Sequence, residues 1–509
     1  MEQAQNFNAI IEKAIVDNWD LDALTDYKGV TLQFHDVARK IEKLHILFEN
    51  GGVAKGDKIA LCGRNCSHWA VAFLATLTYG AVAVPILHEF TAEQIHNIVN
   101  HSEAKFLFVG DVVATVIDEA KMPMLEGIIN IPDYSLAVSR TEKLTYAREH
   151  LNEMFGKKYP KYFRKNHVSY YREKNGEELA MINYTSGTTG FSKGVMVPYR
   201  AIWSNYDFAE AALGDIVKHG DNTISILPMA HMYGMAFEFL FEFLHGCHIY
   251  YLTRVPSPAI IAQAFTDIKP AIIISVPLII EKIIRKKVFP KIQNNKMRLL
   301  LNMPVINKKV LQKICEHVTD AFGGRFYEII IGGAALNQEI ESFLKRINFP
   351  YTVGYGSTEC APIICYADYK TFAPGSCGRA ALHMEVKIDS PDPENVPGEI
   401  LARGMNVMLG SNGQNIYPEE IEDKLNSMAM VVESIVVQRG DKLVGLVFPD
   451  YEEAKEMGLN GDDLKDVMEG NRTELNQTLP AYAKIAEIEL VETEFEKTPK
   501  KSIKRFLYK

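Results

Sequence analysis

At 509 residues, with 47% hydrophobic and 23% charged side chains, the chain is long enough for two or three separately cored domains and is not the composition of a disordered protein. A formal net charge of -9 argues against a nucleic-acid partner, so an anionic substrate must be met by local cations. The seven cysteines are an odd number, and neither Cys62 and Cys66 nor Cys360 and Cys365 has the further pair or histidines that a zinc site requires, so they read as reduced thiols.

The first residues, Met1-Glu2-Gln3-Ala4-Gln5-Asn6, lack the basic and apolar regions of a secretory signal, which makes a cytoplasmic protein the expectation. Apolar residues at Val37, Ile41, Leu44, Ile46 and Leu47 follow a helical period from Leu32 to Asn50, and Gly51-Gly52 supplies the stop. Lys58–Cys62 reads as a strand, Trp69–Thr78 as a helix, Ala81–Val84 as a strand ended by Pro85, Thr91–Asn100 as a helix and Lys105–Val109 as a strand. Strand-like runs recur at Ile224–Leu227, Ala271–Ser275 and Glu328–Ile331. The apolar run from Ala271 to Ile280 is half the length of a membrane span and is interrupted by Pro277, so it reads as a buried strand, and no transmembrane segment is expected. This alternation predicts an α/β fold of parallel-rich sheets with crossover helices. After Gly410 short strands such as Ser434–Val437 and Leu443–Val447 lie among charged helices such as Glu419–Leu425, the texture of a small α+β domain. The expected division is a large domain at 1–408 and a small one at 409–509.

A possible strand, Ala180–Tyr184, runs into Thr185, Ser186, Gly187, Thr188, Thr189, Gly190, Phe191, Ser192, Lys193 and Gly194. Glycines let backbone N–H groups approach phosphate oxygens, hydroxyls add neutral donors, and the lysine supplies charge. The spacing is not that of a Walker loop, and no Gly-x-Gly-x-x-Gly run is present, which removes support for kinase and dinucleotide readings. The run from Tyr184 to Gly194 closely resembles the phosphate loop of the adenylate-forming superfamily of acyl-CoA synthetases, peptide-synthetase adenylation domains and luciferases, with Ser192 where the family usually has proline.

That resemblance extends over nearly the whole chain. It makes Thr185, Ser186, Gly187, Thr188, Thr189, Gly190 and Lys193 ATP-binding residues. Tyr355-Gly356-Ser357-Thr358-Glu359 resembles a second family motif, which implies that Tyr355, Gly356 and Thr358 bind ATP, with Thr358 contacting the α-phosphate, and that Glu359 is a magnesium ligand with Thr185 helping to organise the shell. Gly332, Gly333 and Ala334 are similar to the segment that lies against the adenine. Leu227–Gly234 resembles the segment bordering the carboxylate pocket, so His231, Tyr233 and Gly234 are expected in the acyl pocket, His231 without an acid–base duty. Lys269-Pro270 and Val276–Ile283 resemble a stretch of the long-chain fatty acid–CoA ligases, which implies fatty acid, ATP and CoA as substrates and Mg2+ as cofactor. Phe237, Phe239, Leu240, Phe241 and Leu244 could line a tunnel or fill a core, and Arg285-Lys286-Lys287 could meet membrane or CoA anions or form a solvated face. Gly413, within Gly413–Glu422, is similar to the opening of a mobile C-terminal domain near the CoA tunnel.

Two departures stand out. Gly398–Gly404 resembles the end of the large domain, yet the small-domain motif follows within a few residues, so a family stretch on the order of 40–60 residues is missing between about 407 and 410, with the ribose-binding aspartate and the hinge. The good match of both flanks favours residues left outside the 509 read here over a true deletion. At Lys497–Arg505, similar to the motif whose lysine stabilises charge during adenylation, Ser502 stands at the lysine position, and Lys501 beside it is the candidate catalytic residue with Thr358 and Glu359. The alternatives are adenylation of an aryl or amino acid, transfer to a carrier protein, or an ATP-binding pseudoenzyme.

Overall fold

The chain adopts a mixed α/β fold, a large sheet-rich part followed by a smaller one; the computed structural model describes residues 6–174, 176–185, 193–253, 258–292, 307–390, 398–404, 418–439, 442–479, 484–496 and 508. In chain order the first strands are β1 (Asp22–Asp26), β2 (Thr31–Gln33), β3 (Lys58–Cys62), β4 (Val82–Ile86), β5 (Ala104–Val109), β6 (Gly127–Asn130), β7 (Leu136–Ser139), β8 (Leu179–Thr185) and β9 (Lys193–Pro198). Then come β10 (Asn222–Ser225), β11 (His248–Tyr251), β12 (Ile273–Ser275), β13 (Ile329–Ile331), β14 (Tyr351–Val353), β15 (Tyr355–Gly356), β16 (Ile363–Tyr366) and β17 (Arg379–Ala380). A seven-stranded sheet has the order β7-β6-β5-β3-β4-β8-β9, parallel except for its two edge strands. The parallel strands require crossovers, supplied by the helices Ser67–Tyr79 between β3 and β4 and Ala92–His101 between β4 and β5. A four-stranded sheet, β10-β11-β1-β2, a parallel sheet, β12-β13-β14, and an antiparallel one, β15-β16-β17, complete this part.

Three apolar cores hold these layers, one of them formed by residues such as Val84, Ile95, Leu107 and Ile128 on the seven-stranded sheet. Another gathers Phe34, Phe73, Phe108 and Phe239, with the helix Phe34–Asn50 contributing the stripe Val37, Ile41, Leu44 and Leu47. The third surrounds β12 and β13 with Phe265, Phe322, Ile340 and Leu344. The cysteines are all free thiols. No described helix is long and apolar enough to cross a membrane.

Three sequence expectations change. Pro85 lies inside β4, paired with Leu61, and its missing N–H is tolerated because the ladder from β4 to β8 is made at Ala83 and Met181 instead. Pro277 does not sit in a strand: β12 ends at Ser275 and Pro277 opens the helix Pro277–Ile283, where its fixed φ suits the first turn. β10 ends at Ser225, because the N–H groups of Ile226 and Leu227 donate to Glu238 Oε2, at 3.0 and 2.8 Å, and not to a neighbouring strand.

The chain divides into two compact units, one comprising Met1–Val386 and Gly404–Asn406, the other Lys387–Arg403 and Val407–Lys509. Strands β18 (Met384–Asp389) and β19 (Glu399–Gly404) pair with each other. The second unit holds a sheet of β20 (Val431–Arg439), β21 (Lys442–Pro449) and β22 (Ile485–Leu490), antiparallel then parallel. Leu425, Val436, Val447, Leu475 and Ile485 form its core under the helices Pro418–Leu425 and Gly461–Thr478.

Glu238 and Glu242 are fully buried, and loss of water, opposed by hydrogen bonds to Glu238 from Leu227, Ile226 and Ser225, raises both carboxyls well above the ordinary 4.5. The folded chain keeps protons that the unfolded chain releases above that value. Each group therefore subtracts about 1.4 kcal/mol per pH unit as pH rises from the unfolded towards the folded pKa. Glu238→Gln removes one such contribution, so thermal melting from pH 5 to pH 8 is expected to fall less steeply in the variant; equal slopes would mean that Glu238 is ionised in the folded chain.

Candidate functional site

A cavity of about 200 Å3 opens at the C-terminal ends of β12, β13 and β14, the end of a parallel sheet where loops diverge and ligands are bound. Its mouth is formed by His231, Gly332, Gly333 and the turn Tyr355–Thr358, and its interior by Phe208, Phe237, Ile274, Ile330, Ile363 and Tyr366. Ile274 and Ile330 are register partners on adjacent strands, so their side chains share one face.

The segment carrying His231 is pinned from three sides. Besides Glu238, the amide of Asn65 donates to the Leu227 carbonyl at 2.6 Å and to Ser225 Oγ at 3.0 Å, and its oxygen accepts from the Met229 N–H at 2.9 Å. Asn183, on β8, donates to the Ala230 carbonyl at 2.9 Å. The Tyr233 N–H donates to His231 Nδ1 at 3.3 Å, which leaves the proton of the neutral ring on Nε2. His231 is exposed at the cavity mouth, and crowding by the surrounding protein atoms lowers its pKa below 6.5.

The Tyr233 hydroxyl lies 3.1 Å from the Ile330 carbonyl and 3.4 Å from that of Ser275, tying its ring to the ends of β12 and β13 and against Gly332. Gly234 opens a π-helical turn, Gly234–Leu240, and is buried in it, outside the cavity wall. The same turn points Phe237 into the cavity, while Phe239, Leu240 and Leu244 pack into the core of Phe34 and Phe73 and Phe241 into that around β12 and β13.

The second motif folds back on itself. The Ser357 N–H donates to the Pro362 carbonyl at 2.9 Å, and a Cβ on Gly356 would stand 2.2 Å from that carbonyl oxygen, so only glycine fits. Thr358 and Glu359 form a short turn, Thr358–Cys360, which strand β9 runs alongside. Asn205 anchors it, accepting from the Ile363 N–H at 3.0 Å and reaching the Cys360 carbonyl at 3.5 Å.

Of the sequence candidates, His231, Tyr233, Gly332, Gly333, Tyr355, Gly356 and Thr358 meet in this one wall. Ala334 is exposed next to Gly333, and Glu359 is half-buried beside Thr358, both outside the lining. Thr185 and Lys193 face each other across the last described rung of the β8–β9 hairpin. Ser186, Gly187, Thr188, Thr189, Gly190, Gly413 and Lys501, and the break near 407–410, fall outside the described residues. Among the described residues no three His, Cys, Asp or Glu side chains form a metal cage. Arg285 is not an open cation: it pairs with Glu339 at 3.0 Å. Asn65, Asn183, Asn205 and Glu238 were not read from the sequence, because a lone amide or a carboxyl in an apolar helix carries no spacing signal; the apolar setting of Glu238 was the available hint.

Asn65→Ala would leave the Leu227 carbonyl and Met229 N–H without partners, at a cost of about 1–3 kcal/mol. Hydrogen exchange is expected to rise chiefly over residues 225–233; a uniform rise would assign Asn65 a general structural role.

Residues 11–411 match the family described as AMP-binding enzyme, and residues 406–508 match the AMP-binding enzyme C-terminal domain, so the two matches overlap at 406–411. The chain is 22% identical over 449 residues to the long-chain-fatty-acid–CoA ligase heimdall of Drosophila melanogaster, covering 80% of this chain and 62% of that protein. It is 22% identical over 433 residues to a long-chain-fatty-acid–CoA ligase of Escherichia coli O157:H7, covering 80% of this chain and 71% of that one. The chain thus spans less than two thirds of the Drosophila relative. The fold is similar to that of the anthranilate CoA ligase AuaEII in complex with anthranoyl-AMP, with TM-score 0.62, 18% identity and coverage of 100% of this chain and 97% of that chain. It is also similar to the N-terminal domain of FACL13 from Mycobacterium tuberculosis, with TM-score 0.59, 20% identity and coverage of 79% and 89%. With its match over residues 11–411, the chain belongs to the AMP-binding enzyme family.

Proposed function

We propose that the chain is an AMP-forming fatty acid–CoA ligase of the long-chain type, working in the cytoplasm. The observation that carries this reading is a single cavity whose interior is apolar and whose mouth is made of glycine turns, a hydroxyl and a histidine, which suits an alkyl carboxylate meeting a nucleotide. The names of the relatives support the same substrate class.

In the first half-reaction a carboxylate oxygen attacks the α-phosphorus of ATP, forming an acyl-AMP and releasing pyrophosphate. In the second, the CoA thiol loses its proton and its sulfur attacks the acyl carbonyl, with AMP as leaving group. Lys193, Thr185 and the loop Ser186–Gly190 would hold the phosphates, Thr358 would donate to the α-phosphate, and Gly332, Gly333, Ala334, Tyr355 and Gly356 would flank the adenylate. His231 and Tyr233 would wall the carboxylate, with Gly234 shaping the turn behind them, and Lys501 would offset charge during adenylation. Glu359, with Thr185, would hold Mg2+, which when bound offsets phosphate charge; one carboxylate suffices because phosphate oxygens and water supply the remaining ligands. A rotation of the smaller part, 409–509, bringing Gly413 to the CoA tunnel, would exchange the half-reactions.

Pyrophosphate exchange across a panel of acids tests the reading. Exchange with fatty acids is expected, and exchange confined to aryl or amino acids would refute the fatty-acid assignment. Lys193→Ala and Glu359→Gln should each slow it by about 10²–10³-fold. Lys501→Ala should impair acyl-AMP formation; an unaffected variant would remove only the lysine assignment. Ser502 at the motif lysine's position, with no Thr-Gly-Asp before Gly410, favours a second reading, a nucleotide-binding protein without turnover. ATP binding with no AMP formed from any acid would select it.

A further inference from the structure

We infer that Tyr366, locked in place by Glu328, is the end wall of the acyl subsite and sets the length of tail that the subsite accepts; this rests on the ligase reading above.

Gly332, Gly333, Ile330, Ile274 and Tyr366 all line the cavity. The Tyr366 hydroxyl donates to Glu328, the residue immediately before β13, whereas Gly332 immediately follows that strand. Four residues at about 3.3 Å each separate Glu328 from Gly332 by about 13 Å, so the bond to Glu328 and the nucleotide-side glycines mark opposite ends of β13.

Three contacts hold the wall. The Tyr366 ring meets Phe208 edge to face, with centroids 5.6 Å apart at 82°. Its backbone is backed by Gly378, where an added Cβ would stand 2.3 Å from the Tyr366 carbonyl carbon, so it cannot withdraw. Glu328 is fully buried, and its second carboxyl oxygen accepts from the Tyr369 N–H at 2.9 Å. Burial, opposed by the bonds from Tyr366 and Tyr369, raises the Glu328 pKa to about 7. The Tyr366 hydroxyl can donate to this carboxyl in either protonation state.

Beyond the pair the surroundings turn polar, with the Tyr327 hydroxyl donating to Asp368 at 2.6 Å. A tail that reaches Tyr366 therefore gains nothing from a further methylene, and a longer one must displace a ring held on three sides. Up to that point each methylene adds about fourfold to tenfold in affinity or kcat/KM.

The test measures calorimetric affinity and kcat/KM for straight-chain acids from butanoate to palmitate. Wild type should show a break where the gain per methylene stops. Tyr366→Ala should move the break to longer acids and Tyr366→Trp to shorter ones, each variant being checked for folding by thermal melting. Tyr366→Phe, which keeps the ring and loses the bond to Glu328, should blur the break without moving it. A break at the same length in the Ala and Trp variants would overturn the inference. Breaks that move in the binding series while no acyl-CoA forms would leave the wall standing and refute the ligase reading instead.

Discussion

The carboxyl group of Glu238, shut away from water, holds the backbone at the point where β10 stops being a strand. Two N–H groups that would otherwise continue a ladder, those of Ile226 and Leu227, turn towards it. Unpaired backbone donors are costly inside a protein, so this carboxyl satisfies them and frees the next residues to bend across the sheet end. His231 and Tyr233 reach the cavity because of that bend, and Asn65 and Asn183 keep it in place. The raised pKa of Glu238 accompanies this arrangement, since burial penalises the charged form of the carboxyl.

The cavity then combines three constructions with different physical origins. Parallel strands supply an apolar wall of register-matched isoleucines. Tight turns supply a mouth where backbone stands in place of side chains, as at Gly356 under the Pro362 carbonyl. Aromatic side chains close the interior, and two of them carry their hydroxyls away from the cavity: Tyr233 to the carbonyls of the sheet and Tyr366 to Glu328. Each tyrosine presents an apolar ring inside and satisfies its polar tip elsewhere, which permits an apolar pocket to have polar anchors. The mouth and the interior of the cavity therefore differ in chemistry.

Much of this was legible from residue order. From the helix that ends at Asn50 to Val109 the strand–helix alternation was read within one or two residues, because hydrophobic period and glycine stops are local signals, whereas the helix Phe7–Asp17 and strands β1 and β2 were not read. The motif around Tyr355 and the segment around His231 were expected to belong to a site, and residues of both line the same cavity. Misreadings arose where a local signal was overridden by a distant partner. Ile226 and Leu227 have the composition of a strand but bond to a residue twelve and eleven positions later. Pro277 reads as a strand interruption yet begins a helix.

By itself the sequence determined much of the order of elements, the residue types gathered in its motifs, and membership of a family, since these depend on neighbours in the chain and on motif spacing. Tertiary structure decided which offered residues share a wall, where the cavity stops and what locks its end. Tyr366 and Glu328 are 38 positions apart, and the bond between them exists because β16 carries its last residue to the start of β13. No periodicity encodes such a meeting; it follows from the path of the backbone and from the requirement that a buried hydroxyl and a buried carboxyl find partners.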